Sequence, residues 1–294
     1  MTYLIDASIF IFRAWFSVPD SMTCPNDHPV NAVYGYAQFL SDFLESVQPD
    51  SVAAAFDESL EKSFRCEIYP AYKANRDPAP EELKRQFAQC RKVTRSLGIS
   101  ECSSSRFEAD DLIGTLAGKA REAGRCVSIL SRDKDLLQLL QAGDVMWDYV
   151  SGKQIAHDDV PELFGVRADQ MVDYLALAGD SVDNIPGAPG VGAKTASALL
   201  QHFDSLDELY ENLDSVENVN VRGAAKLGAK LKPYHDQVRM CRELTRIRFD
   251  APLPDHDDVL ARQVPNLSAL NALYDDVGFG QSLRRQAQRI ADSY

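Results

Sequence analysis

The stretch SVAAAFD at residues 51–57 is a short apolar run that ends in an aspartate, and the chain contains other runs of this form. Residues 3–5 precede Asp6, and residues 127–130 lie just before Asp133. Residues 145–149 indicate a fourth strand. Apolar residues at helical spacing occupy 33–47, 81–97 and 110–122, between these runs. Strands that alternate with helices predict an α/β fold of three layers, with a mostly parallel sheet between helices.

Three aspartates occupy equivalent places in this predicted sheet. In a parallel α/β sheet the active site lies beyond the carboxyl ends of the strands. Asp6, Asp57 and Asp133 come at or just after such ends. Packing of a core does not require an acid at these positions. We therefore expect this edge of the sheet to carry the functional site.

Acidic residues cluster in three further motifs, FEADD at 107–111, SRDKD at 131–135 and GDSVD at 179–183. Because no matching set of His or Cys accompanies them, these donors suit a hard cation, Mg²⁺ or Mn²⁺, better than zinc. Two or more ions are expected, since one can generate hydroxide while another stabilises the leaving oxygen in phosphodiester hydrolysis. The candidate ligands are Asp6, Asp57, Glu108, Asp110, Asp111, Asp133, Asp135, Asp180 and Asp183.

A purely structural role is the alternative for single members of this set. Glu108 and Asp135 lie where helices would begin, and the helix dipole stabilises an acid there by about 0.3–1 kcal/mol. The nine acids taken together favour the metal site. Because the acids lie at element ends rather than in a core, we expect replacement of Asp111 or Asp133 to leave the fold intact.

The second half of the chain has a helical pattern throughout. Helices are predicted at 169–178 and 193–203, with further helical segments to about residue 249. The Pro- and Asp-rich stretch 251–265 is expected to be irregular, and one last helix is predicted at 267–290. The expected domains are an α/β core at 1–170, a helical subdomain at 171–255, and a tail at 256–294 that packs on the core.

The composition of the 294 residues excludes several classes of protein. The N-terminus lacks the features of a signal peptide, and no apolar run is long enough to span a membrane. Six scattered cysteines fit neither a disulfide framework nor a zinc site, so a cytoplasmic protein is expected. The net charge of −13 hides two basic stretches, 61–95 and 218–248. Each is either a solvated helical face or a nucleic-acid-binding surface.

Six motifs in order resemble those of the flap endonuclease and 5′–3′ exonuclease family, whose members include the exonuclease domain that precedes bacterial DNA polymerase I. They are VYGYAQFL, AAFD, SFRCEIYPAYKANR, FEADD, SRDKD and GDSVDNIPGAPGVGAKTA. The resemblance is strong over residues 3–210 and weaker to 250. It implies a PIN-like nuclease core with a helical arch at about 65–95. No polymerase sequence follows, so a free-standing protein is expected.

The resemblance also implies roles for particular residues. The nine acids match the metal ligands of the family. Lys73 matches a basic arch residue that contacts the scissile phosphate, with Tyr72 and Arg76 beside it, and a lysine there would stabilise charge that develops on the phosphoryl group. The alternative for Tyr72 and Lys73 is an exposed amphipathic helix. The glycine that commonly follows the first aspartate of the family is Ala7 here.

The stretch IPGAPGVGAKTASALL is similar to the helix–three-turn–helix element of the family, a relative of the helix-hairpin-helix. Gly190 and Gly192 would let backbone amides approach a DNA phosphate, and Lys194 and Thr195 could reach the same backbone. Relatives hold a monovalent ion, often K⁺, on carbonyls of this turn, here 187–192. Pro189 removes one amide donor, so phosphate or K⁺ binding could be weaker.

The function that these features imply is 5′–3′ exonuclease or 5′-flap endonuclease activity in DNA replication or repair. The expected partner is DNA with 5′ ends, flaps or single-strand/double-strand junctions, in a bacterial cytoplasm or nucleoid. No membrane partner is expected, and the sequence names no protein partner. Two alternatives stay open, namely a catalytically weak structure-specific DNA-binding protein and an enzyme that acts on RNA in RNA–DNA hybrids.

Overall fold

The computed structural model describes residues 1–58, 62–254 and 258–294. The chain divides into two compact units. The sheet unit comprises Met1–Glu58, Pro78–Ser131 and Phe249–Tyr294, and the helical unit comprises Ser59–Asp77 and Arg132–Arg248. The predicted boundary between subdomain and tail, at 255/256, lies outside the described residues.

A parallel sheet forms the middle of the sheet unit, with its strands in the order β3-β2-β1-β4. Successive residues of a strand point to opposite faces, and residues 52–56 of β2 are all buried. Helices must therefore cover both faces of this sheet, which confirms the predicted α/β class. The strands are β1 Thr2–Asp6, β2 Val52–Asp57, β3 Ser100–Ser104 and β4 Val127–Leu130.

The helices of the sheet unit pack through apolar stripes. Phe39 and Phe43 of α2 lie in an aromatic group with Phe10 and Tyr3, while α5 contacts all four strands. The helices are α1 Ala7–Ser17, α2 Asn31–Val47, α4 Glu81–Ser96, α5 Ala109–Glu122, α12 Leu267–Asp276 and α13 Gln281–Asp292.

The order of the strands fixes where a site can form. The chain adds β2 and β3 on one side of β1 and then returns to place β4 on the other side. Sites in parallel α/β sheets form at the carboxyl ends of the strands where the strand order reverses in this way. Asp6 is the last residue of β1, the strand at which the order reverses.

The helical unit contains short helices and one antiparallel strand pair. A 3₁₀ helix at Lys134–Leu139 begins within the SRDKD motif, and further short 3₁₀ turns lie between the other elements. The C-terminal helical region that the sequence predicts is confirmed. The elements are α3 Phe64–Ile68, β5 Val145–Asp148, β6 Lys153–Ala156, α6 Val160–Phe164, α7 Met171–Ala178, α8 Ala193–Phe203, α9 Leu206–Glu211, α10 Ala224–Leu231 and α11 His235–Thr245.

Two sequence expectations about single elements are wrong. The single helix at 267–290 is two helices, because residues 277–280 (VGFG) interrupt it. Gly278 there has a φ of +73°, a left-handed conformation that ends a helix. Strand β3 (SECSS) was not predicted, because it is polar and only part-buried and so lacks an apolar run.

The range 65–95, predicted as a helical arch, is not one element. Its first part, α3 and the turn after it, belongs to the helical unit. Its second part is α4, which packs on α2 through Leu83, Cys90 and Val93 in the sheet unit. Among the described residues, no helix is both long enough and apolar enough to cross a membrane.

Candidate functional site: two carboxylate clusters

In the sheet unit, the strand ends present Asp6 and Asp57. Asp6 is buried, and the Ser131 hydroxyl donates to its Oδ2 at 2.9 Å. Asp57 accepts from the Ser8 hydroxyl at 2.8 Å and from the Ala109 N–H at 2.9 Å. Because Ala109 is the first residue of α5, the Asp57 carboxylate also lies at the positive end of a helix.

The FEADD motif begins α5 through a reciprocal cap. The Glu108 N–H donates to Asp111 Oδ2 at 3.1 Å, and the Glu108 side chain accepts from the backbone at Asp111. Asp111 is fully buried, while Asp110 is half-buried. Asp111 lies at an element end as the sequence predicts, but its carboxylate is also buried and helps to start the helix.

In the helical unit, Asp133 and Asp135 flank the start of the 3₁₀ helix. Asp133 is exposed and accepts the Asp135 N–H at 3.0 Å. Asp135 Oδ1 is buried and has no hydrogen-bond partner among the described residues. Burial, together with the negative charges of Asp133, Asp183 and Asp180, raises the pKa of Asp135 to about 7, although Lys134 opposes the rise. Among the described residues, this carboxylate has no directly paired positive charge that would hold it ionised.

Asp180 has such a charge in Lys134. The Lys134 Nζ lies 2.6 Å from Asp180 Oδ2, and the Val182 N–H donates to Asp180 Oδ1 at 2.7 Å. Burial alone would raise the pKa of Asp180, but these hydrogen bonds lower it on balance. Burial likewise tends to lower the pKa of Lys134, yet the bond to Asp180 leaves it raised. The sequence analysis missed Lys134, although it stands between two candidate ligands.

Asp183 contacts Lys73, for which the resemblance implies a contact with the scissile phosphate, and also Tyr72 and Arg76 beside it. Arg76 pairs with its Oδ1, Lys73 Nζ lies 3.6 Å from its Oδ2, and the Tyr72 hydroxyl donates to Oδ2 at 3.4 Å. The alternative of an exposed amphipathic helix for Tyr72 and Lys73 is wrong, because they lie in a turn and Tyr72 is buried. The basic segment and a candidate metal ligand thus form one cluster.

The GDSVD loop is shaped by two glycines in contact. A Cβ on Gly187 would lie 2.5 Å from the Gly179 nitrogen, and both residues have positive φ. Asp180 and Ile185 pair through two backbone hydrogen bonds of 2.9 and 2.7 Å. This closed loop holds Asp180 and Asp183 on one short hairpin-like turn.

The next turn, 188–191, differs from its sequence interpretation. The Val191 N–H donates to the Ala188 carbonyl at 3.0 Å, and Gly190 has a φ of +82°. With Pro189 second and Gly190 third, this is a type II turn. The hydrogen bond that closes this turn does not use the N–H of residue 189, which proline lacks. Because the fixed φ of proline suits the second position of a type II turn, Pro189 favours the observed loop.

Helix α8 begins directly after this turn. Gly192 is its N-cap, so the first amides of α8 have no acceptor within the helix. A Cβ at Gly190 or Gly192 would meet nothing within 4 Å, so the turn is open on that side. Lys194 is exposed and Thr195 is half-buried. This surface can receive a phosphate group.

The carboxylates described above do not form a complete set of metal ligands in this structure, as far as the described residues show. Among the described residues, no three or more His, Cys, Asp and Glu side chains are arranged to hold an ion. The donor chemistry nevertheless fits a divalent cation, because hard cations prefer carboxylate oxygens. The partnerless Asp135 Oδ1 and the raised pKa of Asp135 fit it too. Five of the nine acids belong to the sheet unit and four to the helical unit.

Comparison with known proteins gives two family matches in sequence. Residues 1–165 match the model described as the 5′-3′ exonuclease N-terminal resolvase-like domain, and residues 166–268 match the 5′-3′ exonuclease C-terminal SAM fold. DNA polymerase I of Rhizobium leguminosarum is 38% identical over 97% of this chain, and that of Bacillus subtilis is 37% identical over 99%. The chain spans 28% and 32% of the length of these two relatives.

Solved structures share the fold at low sequence identity. T5 5′-exonuclease with divalent metal ions (zinc) bound gives a TM-score of 0.66 at 18% identity, covering 99% of this chain and 98% of that one. The catalytic core of Rad2 in complex with DNA substrate gives a TM-score of 0.61 at 16% identity, covering 98% and 90%. At this level of sequence identity, both matches show a shared fold and nothing more.

Proposed function

Because this chain belongs to the family of 5′-3′ exonucleases, we propose that it hydrolyses DNA phosphodiesters near 5′ ends and 5′ flaps at single-strand/double-strand junctions. Among the solved structures that share the fold, T5 5′-exonuclease has divalent metal ions bound and the Rad2 core is in complex with a DNA substrate. A role in bacterial DNA replication or repair accords with relatives that are DNA polymerases.

The nine acids are the proposed ligands of two or more Mg²⁺ or Mn²⁺ ions. Two such ions would supply a hydroxide and stabilise the leaving oxygen. In the sheet unit, Asp6, Asp57 and the start of α5 present carboxylates that Ser131, Ser8 and the Ala109 amide already orient. In the helical unit, Lys134 holds Asp180 in one orientation, since its Nζ lies 2.6 Å from that carboxylate.

Lys73 and Arg76 are the proposed charge donors to the phosphoryl group. Each can present a positive charge to oxygens that become more negative in the transition state. Asp183 now orients both of them, and the Asn184 amide adds a bond of 2.6 Å to the Ala71 carbonyl. Tyr72 supports this segment, because its buried ring lies 4.9 Å from Lys73 Nζ.

The 187–192 turn and the start of α8 are the proposed duplex contact. Amides near Gly190 and Gly192, with Lys194 and Thr195, would bind phosphates and so recognise shape rather than base sequence. Carbonyls of the same turn are the proposed K⁺ ligands. Gln237 fixes the turn, since its Nε2 donates to the Gly187 carbonyl at 2.7 Å.

One observation carries the proposed function: the negative charges of Asp133, Asp180 and Asp183 act on Asp135, whose buried Oδ1 has no hydrogen-bond partner among the described residues. A buried acid with a purely structural role usually accepts a hydrogen bond, and a divalent cation would supply the partner that Asp135 Oδ1 lacks. The test is cleavage of a 5′-labelled flap substrate in Mg²⁺, beside a duplex, a single strand and an RNA-flap version. Cleavage at the junction supports the proposal, and no cleavage of any substrate in Mg²⁺ or Mn²⁺ overturns it.

A second function is structure-specific DNA binding with weak or no cleavage. The observation in its favour is that Lys134, Lys73 and Arg76 already neutralise two of the acids. This alternative predicts junction binding that does not depend on divalent ions and no binding of Mn²⁺ by the protein alone. Isothermal titration with Mn²⁺ separates the two functions without any need for turnover.

A further inference from the structure

Where α11 ends, the backbone at residues 244–247 carries hydrogen bonds from side chains of other elements in the helical unit. We name this segment the 244–247 strap. Arg246 follows α11 with φ −71° and ψ 123°, so the backbone becomes extended there. Leu244 and Thr245 are the last residues of α11, so their carbonyls have no acceptor role left within the helix. The carbonyls of the strap are therefore available to side chains of other elements.

Arg65 takes one set of these carbonyls. Its Nε donates to the Leu244 carbonyl at 2.8 Å, and its Nη2 donates to the Arg246 carbonyl at 2.9 Å. The side chain is only 3% exposed. Arg65 lies in α3, a few residues before Tyr72 and Lys73. A buried guanidinium with two backbone acceptors thus fixes the start of the segment that reaches Asp183.

Gln138 takes the other set. Its Nε2 donates to the Thr245 carbonyl at 3.0 Å and to the Asp135 carbonyl at 2.8 Å, and its Oε1 accepts the Ile247 N–H at 2.9 Å. Both hydrogens and the oxygen of this amide are therefore in use. Gln138 ties the strap directly to the backbone of a candidate metal ligand.

A third element joins the strap through Thr245. Its buried hydroxyl lies 3.3 Å from the Val172 carbonyl in α7, the helix that leads into the GDSVD loop. The strap therefore contacts the three elements that carry the acidic and basic residues of the helical unit. These elements are far apart in sequence, since 179 residues separate Arg65 from Leu244.

We propose that Arg65 and Gln138 are positioning residues, which act through the 244–247 strap to hold the Tyr72–Arg76 segment and the Asp133–Asp135 turn in register. This inference rests on the proposed function, because register matters to a reaction that needs both. The strap is the attachment that these two segments share, since Arg65 bonds to it from just before one of them and Gln138 from just after the other. A displacement of about 1 Å at such a site can cost about a hundredfold in rate.

The two residues are expected to affect different measurements. Gln138→Met keeps the length of the side chain but removes the bonds to Asp135 and to the strap. It should raise the half-saturating Mn²⁺ concentration of the protein alone by about tenfold, as expected for losing several part-buried hydrogen bonds. Arg65→Met should lower the single-turnover rate in saturating Mg²⁺ by at least about tenfold. Affinity for junction DNA in Ca²⁺ should change less than about twofold.

Gln170 provides a matched control in the same unit. It is buried, whereas Gln138 is half-buried; its Nε2 donates to the Leu200 and Asp204 carbonyls at 2.9 and 2.8 Å, and its Oε1 accepts the Arg167 N–H at 3.0 Å. Gln170→Met should lower the melting temperature about as much as Gln138→Met does. It should leave Mn²⁺ affinity and cleavage rate unchanged.

Hydrogen exchange in the metal-free protein makes the test independent of cleavage. The Lys73 amide, which donates to the Asp183 carbonyl at 2.9 Å, should exchange faster in Arg65→Met and in Arg65→Lys but not in Gln170→Met. Equal exchange in all variants would overturn the inference, as would equal effects of Gln138→Met and Gln170→Met on Mn²⁺ binding. If the wild-type chain neither binds Mn²⁺ nor cleaves, the proposed function fails while the exchange result still decides this inference.

Discussion

The Lys73 N–H donates to the Asp183 carbonyl at 2.9 Å, and Lys73 Nζ lies 3.6 Å from the Asp183 carboxylate. The basic segment is thus bound to the acidic loop through both its backbone and its side chain. Lys73 adopts a φ of +53° to do so, a left-handed conformation that costs a non-glycine residue roughly 1 kcal/mol. Backbone strain and charge therefore coincide at one residue, and substitutions can separate them.

Lys73→Ala and Lys73→Gly should both lower the cleavage rate by orders of magnitude, because each removes the charge that acts in the transition state. Their stabilities should differ, since glycine relieves the positive φ and alanine does not. We expect the free energy of unfolding of Lys73→Gly to be roughly 0.4–1 kcal/mol larger than that of Lys73→Ala. Single-turnover kinetics and urea unfolding measure the two effects. A rate restored by glycine would show that the strain, and not the charge, is what Lys73 supplies.

Asp111→Asn and Asp133→Asn should reduce Mg²⁺-dependent cleavage at least about a hundredfold, since a neutral amide is a poor ligand for a hard cation. Asparagine keeps an oxygen that can accept the Glu108 N–H or the Asp135 N–H, which these acids accept now. The fold should therefore survive in both variants.

Asp111→Ala is expected to behave differently from Asp133→Ala in stability. Loss of the cap at buried Asp111 should cost about 0.5–2 kcal/mol of unfolding free energy, whereas Asp133 is exposed. Circular dichroism melts of the four variants make the comparison. Near-normal turnover by either asparagine variant would remove that residue from the ligand set.

The metal-free protein should lose stability as the pH rises from about 4 to about 7. Folding raises the pKa of Asp135 to about 7 through burial and the neighbouring negative charges. The folded state thus binds this proton more tightly than the unfolded chain does, so the stabilisation is complete below the unfolded pKa and is lost as pH approaches 7. Divalent ions should reverse the loss by favouring the ionised carboxylate.

Melting temperatures measured across this pH range in EDTA and in Mg²⁺ test the prediction. Asp135→Asn should flatten the EDTA profile, because its side chain cannot titrate. The control is Asp158→Asn, whose wild-type carboxylate is 92% exposed. An Asp135→Asn profile with the wild-type slope would mean that another group causes the pH dependence.

How much of the fold the sequence predicts depends on burial. Strands β1, β2 and β4 are buried on both faces and so read as apolar runs that end near acids. The edge strand β3 gains its structure from pairing with β2, which leaves no apolar signal. The break between α12 and α13 depends on the left-handed Gly278, and a glycine in a helical pattern does not reveal its φ.

Site residues divide in a similar way. Acid motifs predict a carboxylate-rich site because their chemistry is visible in the residue types. The partners of these acids are not visible, since Tyr72 and Asp183 are 111 positions apart and Ser131 lies 125 positions after Asp6. Lys134 could have been found from its place in SRDKD, between two candidate ligands. The role of Gln138 depends on three-dimensional contacts and has no sequence signal.

Lys194→Ala should weaken binding to junction DNA about equally for all base sequences, because phosphate contacts carry no sequence information. Lys194 is exposed at the start of α8. Loss of one phosphate contact should reduce the slope of log affinity against log salt concentration by about one. Titrations in Ca²⁺ prevent turnover.

The matched control for that titration is Arg167→Ala. Arg167 is also a basic residue of the helical unit, but it already pairs with Asp169 at 3.0 Å and Asp204 at 2.6 Å. Its removal should leave the salt slope unchanged. Equal slopes for the wild type and Lys194→Ala would instead direct attention to the basic stretch 218–248.

Pro189→Gly should weaken the same interaction, contrary to the reading of Pro189 as a lost amide donor. Pro189 occupies the second position of a type II turn, where its fixed φ near −65° matches the required conformation. The bond that closes the turn runs from the Val191 N–H to the Ala188 carbonyl and does not involve residue 189. Glycine would add freedom to the unfolded chain and to the unbound loop, at a cost of roughly 0.4–1 kcal/mol in stability.

Pro189→Ala is the comparison, because it restores the amide with less added freedom. If the amide were limiting, both variants would bind junction DNA more tightly than the wild type. If the turn is preorganised as its geometry indicates, glycine binds most weakly and alanine lies between the two.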